Sequence, residues 1–247
     1  MTVRVAAPAR KPRLGGIKSI VGEFIAVERL SVTQGGITWD ALGCTFPSAT
    51  RAGCYDAVVP DAPKTPAGIS IPAGAVDAFA LYNGIECTLG GDTGAEGSFE
   101  SQAEALLLQG EDRKIEAKLW GWLNAVASTN APDLVQALAA AESDADANYL
   151  GQPVITVSRY DSQRLSAAGA LVRENGVLVT ANGSPVLASS AVTNGKVSAT
   201  GALEVYATSI ISAQAPRLNQ NKDLAIAERV YAIGVDCAYR KTFTVTP

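Results

Sequence analysis

Three groups of residues in this chain have types and spacings that could do chemistry: a glycine-rich segment at 90–97, the acidic pair Asp144 and Asp146, and the tryptophans Trp120 and Trp122. Glycine-rich loops bind phosphates, paired carboxylates hold divalent metal ions, and tryptophan rings stack on bases or sugars. The chain contains no histidine. Its absence excludes Ser-His-Asp and Cys-His catalysis, histidine-ligated metals and an imidazole base, while lysine, tyrosine and carboxylate mechanisms stay open.

Each group also has a structural interpretation, which the patterns favour. The glycine-rich segment lacks the GxxxxGK[ST] arrangement and no lysine follows it, so it is predicted as a turn between a strand and a helix. Asp144 and Asp146 point to different sides of a helix and are predicted as solvated carboxylates. Trp122 falls on an apolar stripe, whereas Trp120 is expected to be exposed and to cover a subunit contact. We therefore predict no enzyme, with no catalytic residue, cofactor or metal ion.

Composition excludes several other classes. Apolar residues make up 47% of the 247 residues and charged residues 18%, with a formal net charge of -4. These values are typical of a folded protein with a sizeable core and not of a disordered or nucleic-acid-binding tail. The apolar runs are short and are broken by Gly, Pro or charge, so none reaches the roughly 20 residues of a membrane span.

The first 18 residues carry five basic side chains and no acid: Arg4, Arg10, Lys11, Arg13 and Lys18. This pattern predicts a mobile arm that contacts phosphate or an acidic neighbour, with a merely solvated tail as the alternative. The segment lacks the apolar stretch of a secretory signal, so we expect the protein to be made and used in the cytoplasm.

The four cysteines are Cys44, Cys54, Cys87 and Cys237. They form no CxxC pair and have no histidine to complete a zinc site, so they are predicted as free, mostly buried thiols. A Cys44–Cys54 disulfide is the alternative, which a cytoplasmic chain would seldom keep.

The N-terminal third is predicted as strands around a long loop. Residues 23–40 have the pattern of strand, turn and strand with a hairpin tip at 34–36, and residues 76–89 that of a strand with an Asn83-Gly84 turn signal. Residues 41–74 are irregular and rich in Gly, Pro, Ala and Ser. So long a loop usually has a function or covers a neighbour.

The longest predicted element is a helix over residues 99–127. Apolar residues recur along it at mostly helical spacing: Phe99, Ala103, Leu106, Leu107, Ile115, Leu119, Trp122 and Val126. Gly110 in its interior costs about 1 kcal/mol relative to Ala, so we expect a break or kink there.

Shorter elements follow, and a second helix is predicted from Pro132 to Ala147. The others are, in order, a strand at 154–158, a helix at 162–171, a strand-turn-strand element at 176–186, a strand pair at 197–211 and a closing β segment at 228–245. Helices and strands mix without regular βαβ alternation, so the predicted class is α+β.

Several segments carry a family resemblance by their order along the chain. They are residues 79–87 with the pattern F-x-x-Y-x-G-x-x-C, 116–120, 176–180 followed by 183–186, 206–208, and 227–237. Together they resemble the major capsid proteins of tailed bacteriophages, of a divergent type found in phages of actinobacteria. The chain shows no separate scaffolding region.

The resemblance implies the Hong Kong 97 phage capsid fold, which has an N-terminal arm, an extended β-hairpin arm, a long spine helix, a peripheral β layer and an axial domain. The assigned ranges on this sequence are an arm at 1–22, an extended hairpin region at 23–74, a peripheral domain at 75–129 plus 206–247 with its spine helix at 99–127, and an axial domain at 130–205.

The function that the resemblance implies is that of a structural subunit of an icosahedral capsid. It would self-assemble into hexamers and pentamers in the host cytoplasm, enclose double-stranded DNA through non-specific contacts, and reside in the virion. Scaffolding, portal and decoration proteins are further expected partners, and no membrane is. We expect the assembly interface to include Arg4, Arg10, Lys11, Arg13, Trp39, Trp120 and Arg229.

Other classes stay open beside this one. A tail tube, decoration or head-completion protein is a second virion part to consider, and a tube subunit would have a β-dominated core without the long helix. An encapsulin-like nanocompartment shell shares the fold but encloses protein. An enzyme using carboxylate or lysine chemistry would need convergent acids, and the sequence supplies no such spaced pair.

Overall fold

The computed structural model of the protein describes residues 15–28, 30, 37–40, 73–76, 78–88, 99–217 and 220–245, with the backbone alone at 37–40, 73–76, 87–88 and 217. The helices are α1 (Ile17–Val21), α2 (Phe99–Leu123), α3 (Leu134–Asn148) and α4 (Arg159–Ala167). The strands are β1 (Ile25–Ala26), β2 (Ile37–Asp40), β3 (Ala73–Val76), β4 (Phe79–Thr88), β5 (Ser128–Ala131), β6 (Val154–Ser158), β7 (Leu171–Glu174), β8 (Val177–Thr180), β9 (Val186–Ser189), β10 (Lys196–Thr200), β11 (Leu203–Ala207), β12 (Ile211–Arg217), β13 (Lys222–Val235) and β14 (Arg240–Val245).

The first sheet is built around the long strand β13. Strands β11 and β12 pair antiparallel with successive parts of β13, β4 pairs antiparallel with it as well, and β1 adds to β11 in parallel. Ala225, Ala227 and Tyr231 face helix α2 and are fully buried, whereas Ile226 and Glu228 point away from it. Such alternation is typical of a sheet with one covered face.

Helix α2 lies along this sheet for 25 residues, about 37 Å at 1.5 Å per residue. Its inward positions recur at every fourth residue: Ala103, Leu107, Glu111, Ile115, Leu119 and Leu123. The helix is unbroken at Gly110, so the predicted break is wrong. It ends at Leu123, four residues before the predicted end.

The second sheet has the strand order β5-β14-β10-β6-β9. Helix α3 packs on β10 and β14 through Ala137, Leu138, Ala141 and Ala145. The N-cap of α3 is Asp133, whose carboxylate accepts the backbone N–H of Gln136 at 2.8 Å. Because both faces of its central strands are covered, every residue of β6 is buried.

Two adjacent crossovers connect the sheets. Gly201 and Ala202 lead from β10 to β11, and a 3₁₀ turn at Asp236–Ala238 leads from β13 back to β14. The crossovers bond to each other, since the N–H of Asp236 donates to the carbonyl of Ala202 at 2.9 Å. The hydroxyl of Tyr149 donates to Asp236 Oδ2 at 3.0 Å and accepts the N–H of Ala202 at 3.1 Å, so one side chain fastens both.

Several predicted strand pairings are wrong. The two described strands within residues 23–40 do not pair with each other, because β1 pairs with β11 and β2 pairs with β3. The predicted hairpin tip at 34–36 lies outside the described residues. Strand β4 runs straight through Asn83-Gly84. The predicted pair at 197–211 is instead split between the two sheets, and so is the predicted β segment at 228–245.

Other elements agree more closely with the sequence. The predicted α+β class is confirmed, and β6 has the predicted bounds. Helix α4 begins three residues before the predicted start. Strand β14, assigned above to the peripheral domain, and β5, which spans the predicted boundary at 129/130, pair in the second sheet with the predicted axial strands β6, β9 and β10.

The prediction of free thiols is wrong for Cys237, which is disulfide-bonded. Cys237 lies in the second crossover with a left-handed backbone, φ 61°, which a non-glycine residue rarely adopts. Sequence spacing cannot detect this bond because the tertiary fold brings the sulfurs together. The side chains of the other three cysteines lie outside the described residues.

The crossovers leave no room for a side chain at Gly201. A Cβ atom there would lie 2.3 Å from the backbone carbonyl oxygen of Asp236. We expect Gly201→Ala to lower the free energy of unfolding by about 2 kcal/mol, measured by denaturant unfolding of the purified chain. Gly110→Ala is the matched control, because a Cβ atom there would meet nothing within 4 Å. This substitution should stabilise the helix slightly. Equal stability of Gly201→Ala and the parent would contradict this close approach.

Candidate functional site

A buried carboxylate lies where α2 crosses β13. Glu111 is 1% exposed and accepts hydrogen bonds from the ammonium of Lys18 at 2.7 Å and the hydroxyl of Tyr231 at 2.5 Å. The Nη1 of Arg229 lies 3.4 Å from the same carboxylate. One acidic group thus joins the N-terminal segment, the long helix and the central strand, and its charge is balanced by two cations.

A second buried carboxylate on α2, that of Glu116, bonds a different set of elements. Its Oε1 accepts the backbone N–H of Ile17 at 3.1 Å, and its Oε2 accepts the hydroxyl of Ser189 at 2.7 Å. Ile17 itself is fully buried against α2. Residues 15–22, predicted as part of a mobile arm, are therefore packed on the chain's own core.

Burial and the bond to Glu111 raise the pKa of Tyr231 above its ordinary value. Burial lowers the pKa of Lys18, but its contacts with Glu111 and Asp112 outweigh burial and leave that pKa raised. At neutral pH Tyr231 is therefore neutral and Lys18 is charged, and in these forms both side chains can donate hydrogen bonds to the Glu111 carboxylate.

The outer face of the first sheet, on the side away from α2, exposes large apolar side chains around Glu228. Tyr82 is 73% exposed and Ile211 is 69% exposed. In the sheet they lie on either side of Glu228, Tyr82 on β4 and Ile211 on β12. Exposed Ile226 occupies the next outward position of β13. Large apolar side chains clustered in water usually mark a contact with another molecule.

The groups considered for chemistry do not form a reactive site. Asp144 accepts the hydroxyl of Tyr239 at 2.8 Å, while Asp146 is exposed in a shallow depression with Glu142. Within the described ranges, no group of three or more His, Cys, Asp or Glu residues could hold a metal ion. The glycine-rich segment at 90–97 lies outside the described residues. In the part of the chain that is described, no helix is long and apolar enough to cross a membrane.

The predicted interface residues lie in different environments. Arg4, Arg10, Lys11 and Arg13 fall outside the described residues, and Trp39 is described by its backbone alone, in β2. Arg229 donates to the carbonyl of Thr208 at 2.6 Å and contacts Glu111, so most of its side chain is used within the subunit. A role for these residues in assembly stays a prediction.

The expected exposure of Trp120 is wrong. Only 7% of it is exposed, and it packs in the core shared by the two sheets. Trp122 is the more exposed of the two, with the guanidinium of Arg240 4.1 Å from its ring centroid. The buried positions of α2 recur every four residues, and four residues turn the helix by about 400°. The buried face therefore shifts by about 40° with each such position, and near the end of the helix it includes Trp120 and not Trp122.

Comparison with known proteins relates the chain to phage capsids by structure alone. No protein-family model matches, and no curated protein matches in sequence. The capsid chain of an empty GTA particle has a TM-score of 0.60 and 10% identity, covering 100% of this chain and 95% of that chain. The chain of Microbacterium phage Oxtober96 has a TM-score of 0.57 and 12% identity, with coverages of 100% and 96%.

A third structure, from Mycobacterium phage Bobi, has a TM-score of 0.54 and 12% identity over 100% of this chain and 96% of its own. Such low identities show the fold alone. The chain therefore has the fold of phage capsid proteins, and the predicted Hong Kong 97 phage fold is confirmed.

Neutralising Glu111 should destabilise the subunit strongly. Glu111→Gln keeps the size of the side chain but leaves Lys18 and Arg229 without their buried counter-charge, so we expect a loss of about 3 kcal/mol in the free energy of unfolding. Denaturant unfolding of the purified chain measures it. Glu228→Gln, a solvent-facing change, should stay within about 0.5 kcal/mol of the parent. Equal effects of the two substitutions would overturn the proposed role of Glu111.

The raised pKa of Tyr231 predicts alkaline destabilisation. Because the folded-state pKa lies above the ordinary value of 10.0, the contribution of the neutral hydroxyl is complete below pH 10 and is lost as the pH rises further. Each such tyrosine lowers the free energy of unfolding by up to about 1.4 kcal/mol per pH unit. We expect Tyr231→Phe to have a shallower stability decline above pH 10, measured by denaturant unfolding at several pH values. Identical slopes would contradict this.

Proposed function

We propose that this chain is the structural subunit of an icosahedral phage capsid, which self-assembles into hexamers and pentamers around double-stranded DNA. The observation that carries the proposal is the likeness to capsid chains over the whole length of this chain and nearly the whole length of theirs.

The physical features of the subunit support an assembly role. The outer face of the first sheet exposes Tyr82, Ile211 and Ile226 to water, at a free-energy cost that contact with a second copy would remove. Helix α2 is the long helix that a β-dominated tail tube subunit would lack. The product of such a protein is a lattice of copies, and we propose no catalytic reaction for it.

The proposed function also implies where the protein is located and which partners it contacts. The subunit would be assembled in the host cytoplasm and would reside in the virion. Its main partner is a set of copies of itself, with non-specific DNA contacts inside the shell. Scaffolding, portal and decoration proteins are proposed as further partners by analogy with such shells.

The test of the proposed function is the state of the purified full-length chain. We expect size-exclusion chromatography and negative-stain microscopy to show shells or capsomer-sized oligomers. A monodisperse monomer at high concentration would count decisively against a capsid subunit. Shells that contain protein cargo and no nucleic acid would instead indicate a nanocompartment.

A substitution on the outer face tests how the copies meet. Ile211→Asp places a second carboxylate opposite Glu228 on this face and should abolish shells. The circular dichroism spectrum of the folded chain should stay unchanged, because the side chain of Ile211 is 69% exposed. Ile211→Val is the matched control and should assemble like the parent. Normal shells from Ile211→Asp would show that this face is not a subunit contact.

A further inference from the structure

The C-terminal half of α2 presents one continuous face to solvent. At 100° per residue its positions lie within an arc of about 140°, and all of them are exposed. They are Gly110, Arg113, Lys114, Ala117, Lys118 and Gly121, which we call the basic helix face. Three of these residues are small and three are cationic.

The basic helix face carries positive charge that no described residue neutralises. Arg113 and Lys114 form no ion pair with any described residue, and the ammonium of Lys118 contacts the ring of Phe79, with 5.6 Å to its centroid, and no carboxylate. The one partly exposed acid beside them, Asp112, lies 3.1 Å from Lys18. This surface is therefore positive although the whole chain has a net charge of -4.

Two further cations extend this positive surface past the end of the helix. The ammonium of Lys196 donates to the side chain of Asn124 at 2.6 Å, and the guanidinium of Arg240 donates to the carbonyl of Trp122 at 2.6 Å. Both are held by neutral groups, which leave their charge in place. Together with the basic helix face, these two cations form a positive surface that runs from Arg113 to the C-terminal end of α2.

The glycines on this face give a second, independent observation. A Cβ atom at Gly110 or at Gly121 would meet nothing within 4 Å, so packing against the described part of the chain requires neither glycine. Each costs about 1 kcal/mol of helix stability relative to Ala. Glycine is useful here if a partner approaches the helix backbone closely.

The N-terminal segment adds charge on the same half of the helix. The described chain begins at Gly15, and the N–H of Ile17 is held by Glu116 of α2. The 14 residues before Gly15 include four basic residues and no acidic one. The basic sequence is therefore joined to the described chain at the buried side of the same half of α2.

From these observations we propose that the basic helix face is the surface through which the subunit meets packaged DNA, by phosphate contacts that do not read the sequence. This assignment rests on the proposed function. From Arg113 to Lys118 the helix rises about 7.5 Å, a length of B-DNA that carries roughly four phosphate charges. The cations neutralise phosphates while the glycines let the DNA backbone approach the helix. The apolar outer face of the first sheet, on the opposite side from α2, then points away from the DNA.

The test compares DNA binding by the full-length chain and by the triple variant R113Q/K114Q/K118Q. Fluorescence anisotropy of a labelled DNA duplex across a salt series gives the slope of log K against log salt concentration. We expect the triple variant to bind more weakly at low salt and to lose about three units of that slope, roughly one per phosphate contact. An unchanged slope, or a parent chain that binds no DNA, overturns the assignment.

The control variant R164Q/R173Q/K222Q removes three charges from other surfaces and should keep the parent slope. A second variant, Gly121→Leu, keeps every charge but blocks close approach. It should weaken DNA binding several-fold, so it decides the question if the triple variant does not fold. Parental affinity of Gly121→Leu would contradict close approach of DNA to this helix.

Negative-stain microscopy of the same proteins separates this inference from the proposed function. If the parent forms shells and the triple variant forms none, the basic helix face is a contact between copies and the DNA assignment is wrong. If the triple variant forms shells that bind or retain less DNA, the assignment is supported. Absence of shells from the parent would count against the capsid proposal whatever the DNA slope is.

Discussion

The burial of ionised carboxylates on α2 is the constraint on which the rest of the described structure depends. An unpaired carboxylate in a protein interior costs several kcal/mol, so Glu111 can face β13 only if cations and hydroxyls meet it there. Lys18, Arg229 and Tyr231 supply them from two other parts of the chain. This requirement fixes the position of the helix on the sheet far more closely than apolar packing alone, which tolerates sliding.

The same constraint explains why the N-terminal segment is part of the folded body. Apolar burial of Ile17 and the hydrogen bond from its N–H to Glu116 hold α1 against the long helix. Ser189 of β9 bonds the other oxygen of Glu116, so the second sheet is tied to the same residue. A helix that would otherwise belong to one sheet is thereby joined to both, and the two sheets share one core.

Sequence reasoning found the long helix, the buried strand β6 and the overall fold, because periodicity and segment order are local properties. It missed Glu111 and Glu116, since charged residues in a helix are ordinarily solvated and no local signal shows that Lys18 and Ser189 will meet them. It exchanged the environments of Trp120 and Trp122, because a spacing of four makes the inward face drift around the helix. It predicted a strand pair at 197–211, although Gly201 carries the chain from β10 into the other sheet. The misses at Glu111, Glu116 and Gly201 depend on contacts between residues distant in sequence.

The apolar clusters packed against α2 differ in size between its two ends. Near its C-terminal end α2 contributes Leu119 and Leu123 to a large buried cluster that includes Tyr231 of β13. Near its N-terminal end it contributes Ala103 and Leu107 to a small buried cluster with Ala225 and Ala227 of β13. Alanine pairs bury little area, so the adhesion per turn is weaker at that end. The helix is therefore held more strongly by its C-terminal half than by its N-terminal half. Local unfolding begins where the fewest apolar contacts must be broken, so the first turns of α2 open before the turns around Leu119 do.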